Sequence, residues 1–167
     1  MVLALVPLAV LPTMAWGALG RLGAVAYPEG WTAVRDAIGR DPEPGDVLVL
    51  PFESYRQFPW NENRAVLDPA QRFFAVPGRR VVTNDAVRVG EILVKSEDPR
   101  AQAVERVLRS PSPDLPGAGF RYVIVNAGTP AEQRRFAAWL SAATLVVDTR
   151  EVRLYRFGGP VRADSPQ

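Results

Sequence analysis

The chain contains no cysteine and no histidine. Disulfides, thiolate nucleophiles, zinc centres built on Cys or His, and Ser-His-Asp chemistry are therefore excluded together. Lysine is nearly absent as well: Lys95 stands alone among 20 basic residues, and the rest are Arg. The formal net charge is only +2, which gives a nucleic-acid role no strong support. G-x-G-x-x-G, the Walker A pattern and the G-x-S-x-G elbow are all missing, so no nucleotide cofactor and no hydrolase nucleophile is indicated.

What is present is a globular composition. Of 167 residues, 47% are hydrophobic and 23% charged, which fits one folded domain and no extended disordered tract. The arginines are scattered along the chain and form no block. Codon bias in a GC-rich source accounts for them together with the high Ala, Gly and Pro. Anion recognition by guanidinium groups is the functional alternative.

Residues 1–20 (MVLALVPLAVLPTMAWGALG) carry no charged side chain, and Arg21 is the first. Twenty apolar residues at ~1.5 Å rise match a hydrocarbon core of ~30 Å. Pro7, Pro12, Gly17 and Gly20 interrupt the run, as is tolerated where neighbouring helices satisfy the freed backbone groups. The expectation is a membrane span or its remnant, the last one of a larger array. A signal peptide with Ala24-Val25-Ala26 as its cleavage site competes, although no basic residue precedes the run. Arg21, Arg35 and Arg40 after the run sit awkwardly with an external C-terminal part. A buried or mis-started N-terminal segment is the third reading.

Residues 27–157 read as a small α/β domain, and 158–167 as a flexible tail. In WTAVRDAIG, Trp31, Val34 and Ile38 share one helical face, with Gly39 placed to end the helix. DVLVL (46–50) has the continuous apolar character of a strand buried on both faces. Residues 51–78 hold four prolines and no clean period, so a long ordered loop is expected, with a short strand near 65–67. RRVVT and AVRV flank Asn84-Asp85, which suggests a tight turn there, with Ile92–Val94 extending the second run past Gly90. Asp98-Pro99 opens a helix with Val104, Val107 and Leu108 as its stripe. FRYVIV (120–125) is a second buried strand. Thr129-Pro130-Ala131-Glu132 is a capping box leading to Phe136, Trp139 and Leu140 on one helical face. TLVVD (144–148) and EVRLYRF (151–157) then form an antiparallel hairpin. The strand-helix-strand unit 120–148 predicts parallel neighbours, so the sheet should be mixed and mostly parallel, flanked by helices.

Chemistry concentrates after the first strand, in PFESYRQFPWNENRAVLDPAQRFF (51–74). Ligands of open α/β sheets bind at the carboxyl ends of strands. Tyr55, Arg56, Trp60, Asn61, Asn63, Arg64 and Asp68 are the candidate binding residues. Aromatic faces stack on sugar rings, while Asn, Asp and Arg bond hydroxyls, so a glycan suits the mixture. The competing reading pins the loop by burying Phe58 and Trp60, with Asn61 and Asp68 satisfying turns. Glu53 and Asp68 are the one candidate acid/base pair. Asn126-Ala127-Gly128-Thr129 follows a strand and opens a helix, a place where backbone N–H groups can hold an anion; the Thr129 cap explains it equally well.

Several segments together carry a resemblance: AWGALGRL, YPEGW, GDVLVLPFESYRQFPWN, RAVLDPAQR, EDPRAQAV, FRYVIVNAGTP and VRLYRF. They resemble the C-terminal extracytoplasmic domain of actinobacterial multi-spanning membrane proteins similar to GT-C-class glycosyltransferases. The resemblance implies a domain outside the cell membrane, attached through residues 1–20. Its implied partners are a glycan or polyprenyl-linked sugar and a multi-spanning membrane protein. Catalytic carboxylates of GT-C enzymes lie in early loops among helices this chain does not contain, so no catalytic residue is carried over. A non-catalytic accessory domain is expected. A small carboxylate-dependent glycan-acting enzyme and a truncated remnant without activity are the alternatives.

Overall fold

The structure, a computed structural model, describes residues 24–158. The apolar stretch 1–20, and all of the tail but its first residue, lie outside the described residues. Among the described residues no helix is long and apolar enough to cross a membrane.

Helix α1 (Glu29–Arg40) buries Trp31, Val34 and Ile38 on its predicted face. Gly39 does not end it: the helix continues to Arg40 and stops at Asp41, whose backbone is extended. Strand β1 (Asp46–Leu50) follows and is buried from Val47 onward. The chain then makes a short antiparallel ribbon, β2 (Tyr55–Gln57) with β3 (Ala65–Leu67), around a 3-10 turn at Pro59–Asn61. A single helical turn, α2 (Ala70–Phe73), leads down to β4 (Val81–Val82). The expected loop 51–78 is thus a built subdomain, and its 65–67 strand is present.

The tight turn expected at Asn84-Asp85 is not a hairpin turn. Strand β5 (Val87–Val89) pairs instead with β6 (Ile92–Val94), and the chain reverses at Gly90. Gly90 has a φ of 59°, a conformation glycine adopts without steric cost. Ile92–Val94 therefore runs back along β5 and does not extend it. Helix α3 (Pro99–Leu108) opens as read, with the Asp98 side chain accepting from the Arg100 N–H. Strand β7 (Phe120–Asn126) is buried throughout. Helix α4 (Pro130–Trp139) starts on the complete Thr129/Glu132 capping box. Strands β8 (Thr144–Asp148) and β9 (Val152–Arg156) form the closing hairpin.

The main sheet has the order β4-β1-β7-β9-β8. Its first three strands are parallel; β9 is antiparallel to both of its neighbours. The predicted adjacency of β7 and β8 is corrected here, because β9 lies between them. The reason is burial. Strand β9 has apolar residues for both faces, Val152 and Leu154 on one, Tyr155 and Phe157 on the other. Strand β8 is exposed along most of its length and tolerates the edge. The mixed sheet flanked by helices stands as expected.

Alternation along the central strands divides two cores. Val47, Val49, Tyr122 and Ile124 face α1 and the aromatic residues of the β2–β3 region. Leu48, Leu50, Val123 and Val125 face α3, α4 and the buried Leu115. The result is a three-layer domain in which β1 and β7 form the spine.

Candidate functional site

From β1 the chain moves outward to β4, then crosses back to β7 on the other side. The strand order thus reverses between β1 and β7, and their carboxyl ends form a topological switch point. Open α/β sheets bind ligands at such a crevice. Here the two lips are Pro51–Glu53 after β1 and Ala127–Thr129 after β7.

Three features fix these lips. The Arg56 guanidinium reaches back from β2 and donates to both: Nη1 to the Pro51 carbonyl at 2.9 Å, and Nη2 to the Asn126 carbonyl. Arg56 is only 4% exposed, and Asp68 lies 3.7 Å from Nη1 with its side chain equally buried. Burial lowers the Arg56 pKa, and the carboxylates of Asp68, Glu53 and Glu132 oppose that. Burial raises the Asp68 pKa, against the hydrogen bond from the Ala70 N–H and the Arg56 charge. Gly128, with a φ of 107°, packs against Pro51: a Cβ added there would lie 3.3 Å from the proline ring. Ala127 holds a left-handed φ of 62°, a strained conformation for a residue with a Cβ, and its carbonyl accepts from the Gln133 side chain.

Between the lips lies an open crevice of about 530 Å³. Tyr55, 54% exposed, lines it. Glu53, Gln57, Thr129 and Glu132 supply polar groups around the ring. Glu132 is held below the usual carboxylate range, chiefly by the Thr129 N–H. A second cleft of about 390 Å³ lies on the other face of the β1 end, with Phe52, Leu93, Phe136 and Trp139 in its walls.

The predicted residues scatter. Tyr55 and Arg56 reach the crevice, Tyr55 as an open surface and Arg56 as its buried brace. Asp68 meets Arg56 but is absent from the crevice wall. Trp60 joins a cluster with Tyr27, Trp31 and Phe58, centroids 4.9–5.4 Å away. Asn61 is buried and donates to the Arg64 carbonyl. Asn63, with a φ of 55°, and Arg64, paired with exposed Glu62, form the tip of the β2–β3 ribbon. The Glu53/Asp68 pair is divided: Glu53 faces solvent, while Asp68 holds the backbone inside. Sequence reading missed Gln57 and Glu132 as crevice residues, and had the 126–129 turn only as a candidate anion site. The capping box placed Thr129 and Glu132 at a helix start, but only the β1–β7 pairing brings that start beside Tyr55.

No family model, curated protein or solved structure matches this chain.

Proposed function

We propose that this is a non-catalytic accessory domain that binds a glycan at the crevice between the ends of β1 and β7, as part of a membrane glycosyltransferase-like protein. The observation that carries the reading is the exposed Tyr55 ring set among Glu53, Gln57, Thr129 and Glu132 over a strand-order reversal. An aromatic face takes the apolar side of a pyranose or furanose ring, and surrounding acceptors bond its hydroxyls. Binding is favoured over turnover by the state of the carboxylates. A general acid needs both a raised pKa and access to the substrate. Asp68 has the first without the second, and Glu132 is committed as an ionised helix cap.

Calorimetric titration of the chain with soluble neutral tetrasaccharides of hexoses and of pentoses tests the reading. At least one is expected to bind without being cleaved. Tyr55→Ala is expected to weaken that binding about tenfold, the equivalent of one lost aromatic contact. Absence of binding across the set, or affinity indifferent to Tyr55→Ala, overturns it.

A further inference from the structure

Exposed large apolar side chains are unevenly placed on this domain. Val25, Tyr27, Tyr55, Leu67, Ile92, Leu93 and Val94 are each 40–69% exposed. Tyr55 and Leu67 in the β2–β3 ribbon, and Ile92–Val94 in the β5–β6 hairpin, follow the carboxyl ends of β1 and β4, and Tyr27 packs on Trp60 between β2 and β3. Tyr55 and Leu67 are directly opposite one another in the β2–β3 ribbon, on the face away from buried Arg56. Ile92–Val94 is the returning strand of the β5–β6 hairpin. The two ribbons are neighbours: the Ser54 hydroxyl donates to the Ala86 carbonyl, and one groove has Tyr55 and Leu93 in its wall. Among the described residues, exposed Leu145 and Val146 on edge strand β8 fall outside this group.

The described chain begins near the same edge. Gly30, at the start of α1, sits against Thr149, just past the end of β8, and β8 runs in the same direction as β7. Tyr27 packs on Trp60 and Phe73, with centroids 5.2 and 4.4 Å away. Residues 21–23 separate the uncharged stretch from Ala24, and three residues reach at most ~11 Å. A bilayer holding residues 1–20 would therefore lie within reach of the start of α1.

We infer that the carboxyl edge is a lipid-facing surface, with the β2–β3 and β5–β6 ribbons seated in the interfacial layer of the bilayer. Contiguous exposed apolar surface beside an apolar anchor marks such contact. Two-stranded ribbons are marginal alone in water, and a lipid interface gives their outer side chains an apolar environment. The inference rests on the membrane reading of residues 1–20; Tyr55 belongs to both the crevice and this surface, so Leu67 and Ile92–Val94 carry the lipid contact.

The test exploits the absence of cysteine. Single cysteines replace Leu67, Ile92, Leu145 or Glu43 in the full chain and carry an environment-sensitive nitrobenzoxadiazole dye. Each protein is mixed with phosphatidylcholine vesicles, with or without lipid spin-labelled near the headgroup, and floated on a density gradient. The expected result is flotation, with dye at 67 and 92 blue-shifted and quenched several-fold by the spin label, and dye at 145 and 43 unchanged. Failure to float overturns both the membrane reading and the inference. Flotation with all four dyes unquenched keeps the membrane reading and overturns the inference. A blue shift at 67 and 92 without lipid quenching also overturns it and assigns the surface to protein, either residues 1–20 or a second copy.

Discussion

At the scale of single residues, Asp41 does the most to join distant parts of the chain. It follows α1 and lies at the amino end of β7. Its carboxylate accepts from the Tyr122 hydroxyl and, at 3.0–3.1 Å, from two guanidinium nitrogens of Arg121. Its backbone carbonyl accepts from Arg79. Burial pushes its pKa up, but the bonds from Tyr122, the Glu43 N–H and Arg121 outweigh this and bring it down from 3.8 to about 2. A lowered carboxylate stabilises the fold above its unfolded pKa, and that stability is lost as pH falls through the folded value. Nearly two pKa units correspond to about 2 kcal/mol. Asp41→Asn should therefore cost about 2 kcal/mol at pH 6, with the deficit vanishing between pH 4 and 2. Urea denaturation of both proteins across that range measures it. A deficit that persists unchanged at pH 2 would show that Asp41 acts through packing and not through its charge.

At the scale of elements, the β2–β3 ribbon is the part least legible beforehand. The amphipathic helices, the two caps and the strands at 46–50 and 120–125 follow from period and capping residues, and they fold as read. The ribbon has three-residue strands, four neighbouring prolines and a positive φ at Glu62 and Asn63, so no period marks it. What holds it is a long-range clamp, Arg56 to the carbonyls of Pro51 and Asn126, and no local pattern encodes that. For the same reason Arg56 and Asp68 looked like ligand groups when read from sequence. Polar residues near a strand end carry the same signal whether they bind a sugar or the chain's own backbone. Arg56→Met leaves two carbonyls and a buried carboxylate without their cation, and a loss of about 3–5 kcal/mol is expected. Removing the cation pushes Asp68 further up. Since a raised carboxylate destabilises as pH rises through its folded pKa, the variant should be more stable near pH 4 than at pH 7. Adding Asp68→Asn should recover part of the loss at pH 7. A double variant no more stable than Arg56→Met alone would mean that the carbonyls, not the ion pair, dominate.

At the scale of the whole molecule, stability is graded from the spine outward, and strand order decides the grading. That order was not legible. Both β8 and β9 read as strands, and nothing in TLVVD or EVRLYRF states which one lies inside until their burial is compared. Once β9 is inside, β1, β7 and β9 each have bonded neighbours on both edges and apolar cover on both faces. The β5–β6 hairpin pairs only with itself, and its returning strand is exposed at all three residues. Local opening exposes little apolar surface there and a great deal at the spine. Amide exchange at neutral pH should therefore be slowest at Leu48–Leu50 and Val123–Val125, where opening approaches global unfolding. At Arg88 and Leu93, facing residues of the hairpin, it should be faster by a factor on the order of a thousand. Mass-spectrometric exchange without lipid reads this directly. Comparable protection in the hairpin and the spine would mean that the hairpin is covered by protein in solution. The exposed Ile92–Val94 surface would then be an interface already filled, and no longer one awaiting a bilayer.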